Sequence, residues 1–302
     1  MESVSSELWQ KGVESISSGS AEIQRILKIA LGTGKGCIIG RQGTIELQTL
    51  LSYVHTGTCK FSNLHTLEKH AGIYPSSYES VVVWIKEYMD AVKSSNGLAV
   101  GWYAPLAKGE LQMLESWNFA GKRVPLRALE PYYVEPNRSW LRGLDSQYVA
   151  VVSSFAASIK QQLPHLQQIW KGREEMLPKD VQWSCVQSYY SPVLAQGRCE
   201  WPDRIGSWSD AVTLLETQVV ESGAKVALLG CGGLAMPLAL RLKKRGIAAI
   251  VLGGAIQLLF GIKGRRWSDH PVISGFFNDW WISPSAEEIP GAAADIEGGC
   301  YW

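Results

Sequence analysis

Lys225–Gly254 reads KVALLGCGGLAMPLALRLKKRGIAAIVLGG. It opens on an apolar run, Lys225 to Leu229, of the kind shown by parallel strands buried on both faces. A glycine turn follows, then a helix from Leu234 to Arg245, then a second apolar run from Ala248 to Leu252. Pro237 falls in the first helical turn, where its missing N–H costs little. Arg241, Lys243, Lys244 and Arg245 crowd the other end, where the helix dipole favours cations. Strand, turn, helix and strand in that order predict a parallel sheet covered by helices.

The rest of the second half repeats the alternation. Tyr148 to Ser153 reads as a strand, Phe155 to Trp170 as a helix bent at Pro164, Val181 to Val186 as a strand, and Ser207 to Ser222 as a helix with Val212, Leu215 and Val219 inward. In the first half, helices are expected over Ala21 to Leu31, Thr44 to Val54 and Tyr78 to Val92. Short strands are expected at Cys37 to Gly40 and Leu98 to Trp102. His55 to Ser77 reads as loop. Residues 103–146 read as irregular, with short helices hidden among prolines and aromatics. Ile256 to Trp302, rich in glycine and tryptophan, reads as loops folded over the sheet. The fold class is therefore α/β, a Rossmann-like parallel sheet with helices on both faces. It divides into an N-terminal portion, 1–146, and a Rossmann-like portion, 147–302, integrated as one domain.

The 302 residues are 46% apolar with a net charge of +1, enough for a sizeable core and too neutral for nucleic acid to be the main partner. Met1 to Ser20 is polar and does not read as a secretory signal. Ala224 to Leu240, the most apolar stretch, is too short and too broken by glycine and proline to span a bilayer. The expected compartment is the cytoplasm. Six cysteines without a C-x-x-C pair read as reduced, mostly buried thiols. Thirteen tryptophans, many in polar surroundings, offer flat faces for sugar rings or nucleobases, or packing under long loops.

Gly230-Cys231-Gly232-Gly233-Leu234-Ala235 fits G-x-G-x-x-A between a strand and a helix, the context in which backbone amides and the helix dipole hold a phosphate. The next strand ends Val251-Leu252-Gly253-Gly254 without the acid that a nicotinamide enzyme uses on its ribose. Gly253 and Gly254 instead suggest a second close backbone approach at the same edge. Gly32 to Gly36 fails as a P-loop, because Ile29 stands at its first glycine and Gly36 at its Ser or Thr. The five histidines show no metal spacing, and no G-x-S-x-G elbow occurs. Two clusters remain. Gly40-Arg41-Gln42-Gly43-Thr44-Ile45-Glu46 places Arg41 for phosphate and Glu46 for a base or metal. Gly261-Ile262-Lys263-Gly264-Arg265-Arg266-Trp267 gathers three cations and an indole.

The first cluster resembles the entry motif of GT-D-type glycosyltransferases, roughly Arg-Phe-Gly-Asp-Gly-Glu. The segment Ala227 to Gly232, with Ile250 to Gly254, resembles that fold's closing Rossmann-like unit. Over most of its length the chain is also similar to a group of uncharacterised bacterial and viral proteins near polysaccharide genes. That likeness is carried by Leu129-Glu130-Pro131-Tyr132-Tyr133, by Gly253 to Gly264 with Gln257 inside it, and by Glu297-Gly298-Gly299-Cys300-Tyr301-Trp302.

The resemblance implies a GT-D-like glycosyltransferase acting on a nucleotide-diphosphate sugar and a glycan or glycoconjugate acceptor. Glu46 matches the motif's Glu and is the expected catalytic residue. Arg41, Gly43, Gly230, Gly232, Gly233, Gly253, Gly254, Gln257, Lys263, Arg265 and Arg266 are the expected nucleotide site, with Trp267 toward the acceptor. The family's Asp-x-Glu pair implies a divalent metal, manganese or magnesium, on Glu46. Thr44 replaces the Asp and is a poor ligand by comparison. The alternative is a non-catalytic nucleotide or glycan binder in a polysaccharide pathway. A methyltransferase ranks last, since it needs the missing strand-end acid.

Overall fold

Residues alternate strictly between two cores along each central strand: Val149 and Val151 enter one, Ala150 and Val152 the other, and Leu228 and Leu229 divide the same way. That alternation follows from the period of two in an extended chain. It explains why the strands read as continuous apolar runs. The computed structural model describes residues 15–302. The expectation for Met1 to Ser20 falls, through residue 14, outside the described residues.

Among the described residues seven strands form one all-parallel sheet: β1 (Ile38–Arg41), β2 (Gly97–Ala99), β3 (Lys122–Val124), β4 (Tyr148–Ser153), β5 (Gln182–Gln187), β6 (Val226–Gly230) and β7 (Ala248–Val251), in the order β3-β2-β1-β7-β6-β4-β5. The first three come from the 1–146 portion and the last four from the 147–302 portion, joined through the β1–β7 pair.

The main helices are α1 (Ile16–Thr33), α2 (Thr44–Thr56), α3 (Phe61–Thr66), α4 (Tyr78–Lys93), α5 (Ala104–Ser116), α6 (Ala156–Gln162), α7 (Trp208–Glu221), α8 (Ala235–Lys244) and α9 (Ala255–Leu259). Connections that step toward β3 place α2, α4, α5, α7 and α8 against one face. Those that step toward β5, through Trp140 and through α6, pack against the other face with α1 and α9. This segregation is what crossovers of a single hand produce. The result is a Rossmann-like three-layer fold with helices on both faces. Among the described residues no helix is long and apolar enough to cross a membrane.

Three stretches depart from the sequence reading. His55 to Ser77 holds α3, which runs directly into a π turn, Leu67–Ala71, closed by the left-handed Gly72. Residues 103–146 hold a full helix, α5, and the edge strand β3. Ile256 to Trp302 holds most of α9 and a chain of 3-10 turns over the carboxyl edge of the sheet. Pro164 does divide its helix, into α6, a 3-10 turn and the short Leu166–Ile169 helix.

Candidate functional site

The neighbours β4 and β6 send their chains in opposite directions, β4 outward to β5 and β6 inward to β7. Such a reversal opens a crevice at the carboxyl ends of the strands, where ligands of open α/β sheets bind. Here that edge carries a cavity of about 580 Å³. It is lined by the ends of β1, β4, β6 and β7, the loops after β2 and β5, the π turn, and residues 296, 297, 301 and 302.

Arg41 ends β1. Its guanidinium carbon lies 4.6 Å from the centre of the Trp102 ring, and a Cβ on Gly253 would stand 3.3 Å from its Nε. The side chain is thus held flat between an indole face and a stretch of bare backbone. Among the described residues no carboxylate comes within ion-pair distance of it. An unpaired, pre-oriented guanidinium in a cavity is a ready anion ligand.

Gly43 caps α2 without a side chain, and the Glu46 carboxyl folds back over it. A Cβ at position 43 would overlap that carboxyl. Glu46 is 8% exposed, and burial pushes its carboxyl above the usual carboxylate range. A hydrogen bond from its own amide and the charge of Arg41 pull the other way, while Glu297 adds to the rise.

The glycine turn after β6 has a double character. A side chain on Gly230 would collide with Ile256, and one on Gly233 would meet Ile73 and Ala71, so these two glycines serve the protein's own packing. Trp84 Nε1 donates to the Gly233 carbonyl at 3.0 Å. Gly232 is left-handed, at φ 57°. Among the described residues the amides of Gly232 and Gly233 donate to no loop or side-chain acceptor. The N-termini of α2 and α8 also reach this cavity, where a helix dipole favours negative charge. Cys231 in the turn is inert, since burial pushes its thiol up to about 12.

Arg41, Gly43, Glu46, Gly230, Gly232, Gly253, Gly254, Gln257 and Arg266 all line this one cavity. Gly233 lies just behind it. Lys263, Arg265 and Trp267 do not line it. Lys263 sits over the Phe277 ring, Arg265 donates to the Gly298 carbonyl, and Trp267 is buried against Tyr301. The cationic loop clamps the segment 297–302: Arg266 pairs with Glu297 and reaches the Tyr301 hydroxyl at 3.2 Å. Gln257 is wholly buried, and its Nε2 donates to the Tyr301 carbonyl at 3.1 Å.

The sequence reading missed Trp102, the partner that orients Arg41, and His70, which the π turn brings to the cavity. It also missed Ser153, Ser154 and Ser188 to Ser191, which the rule of strand carboxyl ends would have found. Of the tryptophans in polar surroundings, Trp201 and Trp302 line the cavity, whereas Trp208, Trp267 and Trp281 are buried in cores. Glu130, beside Arg41, is a further acid of note: burial raises its carboxyl to about 7 against the pull of Arg41 and Arg127.

Among the described residues no group of three or more His, Cys, Asp or Glu is placed to share a metal ion. Glu46 is turned onto its own amide, with a guanidinium nearby and a threonine in place of a second carboxylate. These residues do not fit a divalent ion.

Compared with known proteins, the chain matches no family model, no curated protein and no solved structure. Fold and site alone define its class: a Rossmann-like α/β protein with a cavity at the switch point of its sheet.

Proposed function

We propose that the protein is a GT-D-like glycosyltransferase that moves a sugar from a nucleotide-diphosphate sugar to a glycan or glycoconjugate acceptor. The observation that carries this reading is the unpaired Arg41, held flat in the same cavity as the free amide of Gly232 and the buried carboxyl of Glu46.

In this reading the diphosphate lies across the ends of β7 and β6, accepting hydrogen bonds from Arg41 and the turn amides. Glu46 takes the proton of the acceptor hydroxyl, for which its desolvated carboxylate is a stronger base than one in water. The acceptor oxygen bonds to the anomeric carbon as the carbon–phosphate oxygen bond breaks. The electron pair leaves on the diphosphate, whose charge Arg41 and the amides offset. No step requires a metal, in keeping with the poor fit of Glu46 and Thr44 to one.

Titration calorimetry with UDP-, GDP- and ADP-sugars, with and without manganese, tests the reading. Micromolar binding of one of them is expected. No heat from any would remove the basis for the proposal. The bond from Glu46 to its own amide favours a second reading, a non-catalytic binder. Replacing Glu46 by Gln separates the two: retained binding with turnover abolished supports the enzyme, and a parent protein that binds without turnover supports the binder.

A further inference from the structure

The cavity is divided by chemistry. Its β1–β7 side carries Arg41, Glu46, His70, Arg266 and Glu297, every ionisable side chain of the lining except the phenols and Cys231. Its β4–β5 side is walled by hydroxyls and aromatic rings, with no acid or base among them: Ser153, Ser188, Ser191, Tyr190, Trp201 and Trp302. The Ser188 amide donates to the Ser153 carbonyl at 3.0 Å, which locks the two strand ends together. Tyr190 and Trp302 meet with ring centres 6.4 Å apart. Ser191 precedes the short helix Pro192–Ala195, yet its hydroxyl does not cap it. At 1% exposed, Ser191 leaves its Oγ without a partner among the described residues.

A wall of indole and phenol faces interleaved with hydroxyls suits a flat, uncharged ring that carries its own hydrogen-bonding edge. It offers a phosphate nothing but neutral hydroxyls, whereas Arg41 and the Gly232 turn, across β6, offer a cation and free amides. Resting on the glycosyltransferase reading above, we propose that the β4–β5 compartment holds the nucleoside of the donor. The donor then runs along the sheet edge, base over β4 and β5, diphosphate over β6 and β7, transferred sugar toward Glu46. Tyr190 and Trp302 stack on the base, and Ser191 hydrogen-bonds to the nucleoside.

The protein and its Tyr190→Ala, Trp302→Ala, Ser191→Ala and Arg41→Ala variants test this by calorimetry with UDP, GDP and inorganic pyrophosphate, with thermal melts to establish folding. Loss of a stacking partner is expected to weaken the tighter nucleotide about tenfold or more, and loss of the Ser191 hydroxyl by a few-fold. Pyrophosphate binding should stay unchanged in these three variants and fall only in Arg41→Ala. Trp302→Ala keeps the test open if Tyr190→Ala does not fold. Equal losses for nucleotide and pyrophosphate, or unchanged nucleotide binding in all three, would overturn the compartment assignment. A parent protein that binds neither nucleotide instead counts against the glycosyltransferase reading itself.

Discussion

Two turns at the carboxyl edge share one sequence signature, an apolar strand running through glycine into a helix, and use it for opposite ends. After β1, Gly43 clears space for the Glu46 carboxyl, and Arg41 is left unpaired beside it. After β6, Gly230 and Gly233 clear space for Ile256, Ile73 and Ala71, and at the cavity wall Gly232 keeps an amide without an acceptor. The first turn presents side chains and the second presents backbone. A glycine pattern alone does not tell these apart, because the group that fills the missing Cβ position comes from elsewhere in the chain.

Four measurements would break or sharpen this contrast. Arg41→Ala carries the largest expected effect: nucleotide-diphosphate affinity should fall roughly 10- to 100-fold, the worth of a charged hydrogen-bonding group, with a small loss of melting temperature from the lost stacking on Trp102 and the lost charge beside Glu46 and Glu130. Unchanged affinity by calorimetry would remove the functional half of the comparison. Gly233→Ala should act on the fold instead, destabilising it by about 1–3 kcal/mol through overpacking against Ile73 and the Ala71 carbonyl, as read by urea unfolding. Nucleotide affinity of the folded fraction should be kept.

Glu130→Gln should show a pH signature. The Glu130 carboxyl is raised from 4.5 to about 7 in the folded protein, so the fold favours its protonated form. The stability this lends is complete below about pH 4.5 and is lost as pH climbs through 7. The variant should therefore be more stable than the parent at pH 8, on the order of 1–2 kcal/mol after solvent screening. The gap should close as pH falls toward 4.5. Glu297→Gln should do least: its partner Arg266 is 44% exposed, and such pairs contribute about 0–1 kcal/mol.

The central sheet was legible because β4, β6 and β7 are apolar on both faces and bounded by turn residues. The edge strand β3 was not, since its three residues, Lys122 to Val124, include two cations that suit an edge and leave no periodicity to read. Helix α3, with the sequence FSNLHT, buries only Leu64 and shows no apolar stripe. At the site, Arg41, Gly43 and Glu46 were legible from local order alone. Trp102, Tyr190 and the segment 297–302 reach the cavity through contacts tens to hundreds of residues apart, which spacing does not encode. The same limit explains the cationic loop: Arg265 and Arg266 look free in sequence because their partners, Gly298 and Glu297, are more than thirty positions away.

The π turn at Leu67–Ala71 sets a phase. An α-helix advances about 100° per residue, and a π turn takes up an extra residue without completing a further revolution. Whatever follows leaves the helix rotated from the heading a regular helix would impose. That heading brings His70 to the cavity wall and lays the Ala71 carbonyl and Ile73 against the glycines after β6. Deleting one residue between 67 and 71 would restore the regular winding and swing the exit by about a quarter turn. The imidazole and the brace behind Gly233 would then be lost together. One surplus residue therefore keeps two distant loops in register, and the indel tolerance usual for connecting segments does not extend to this one.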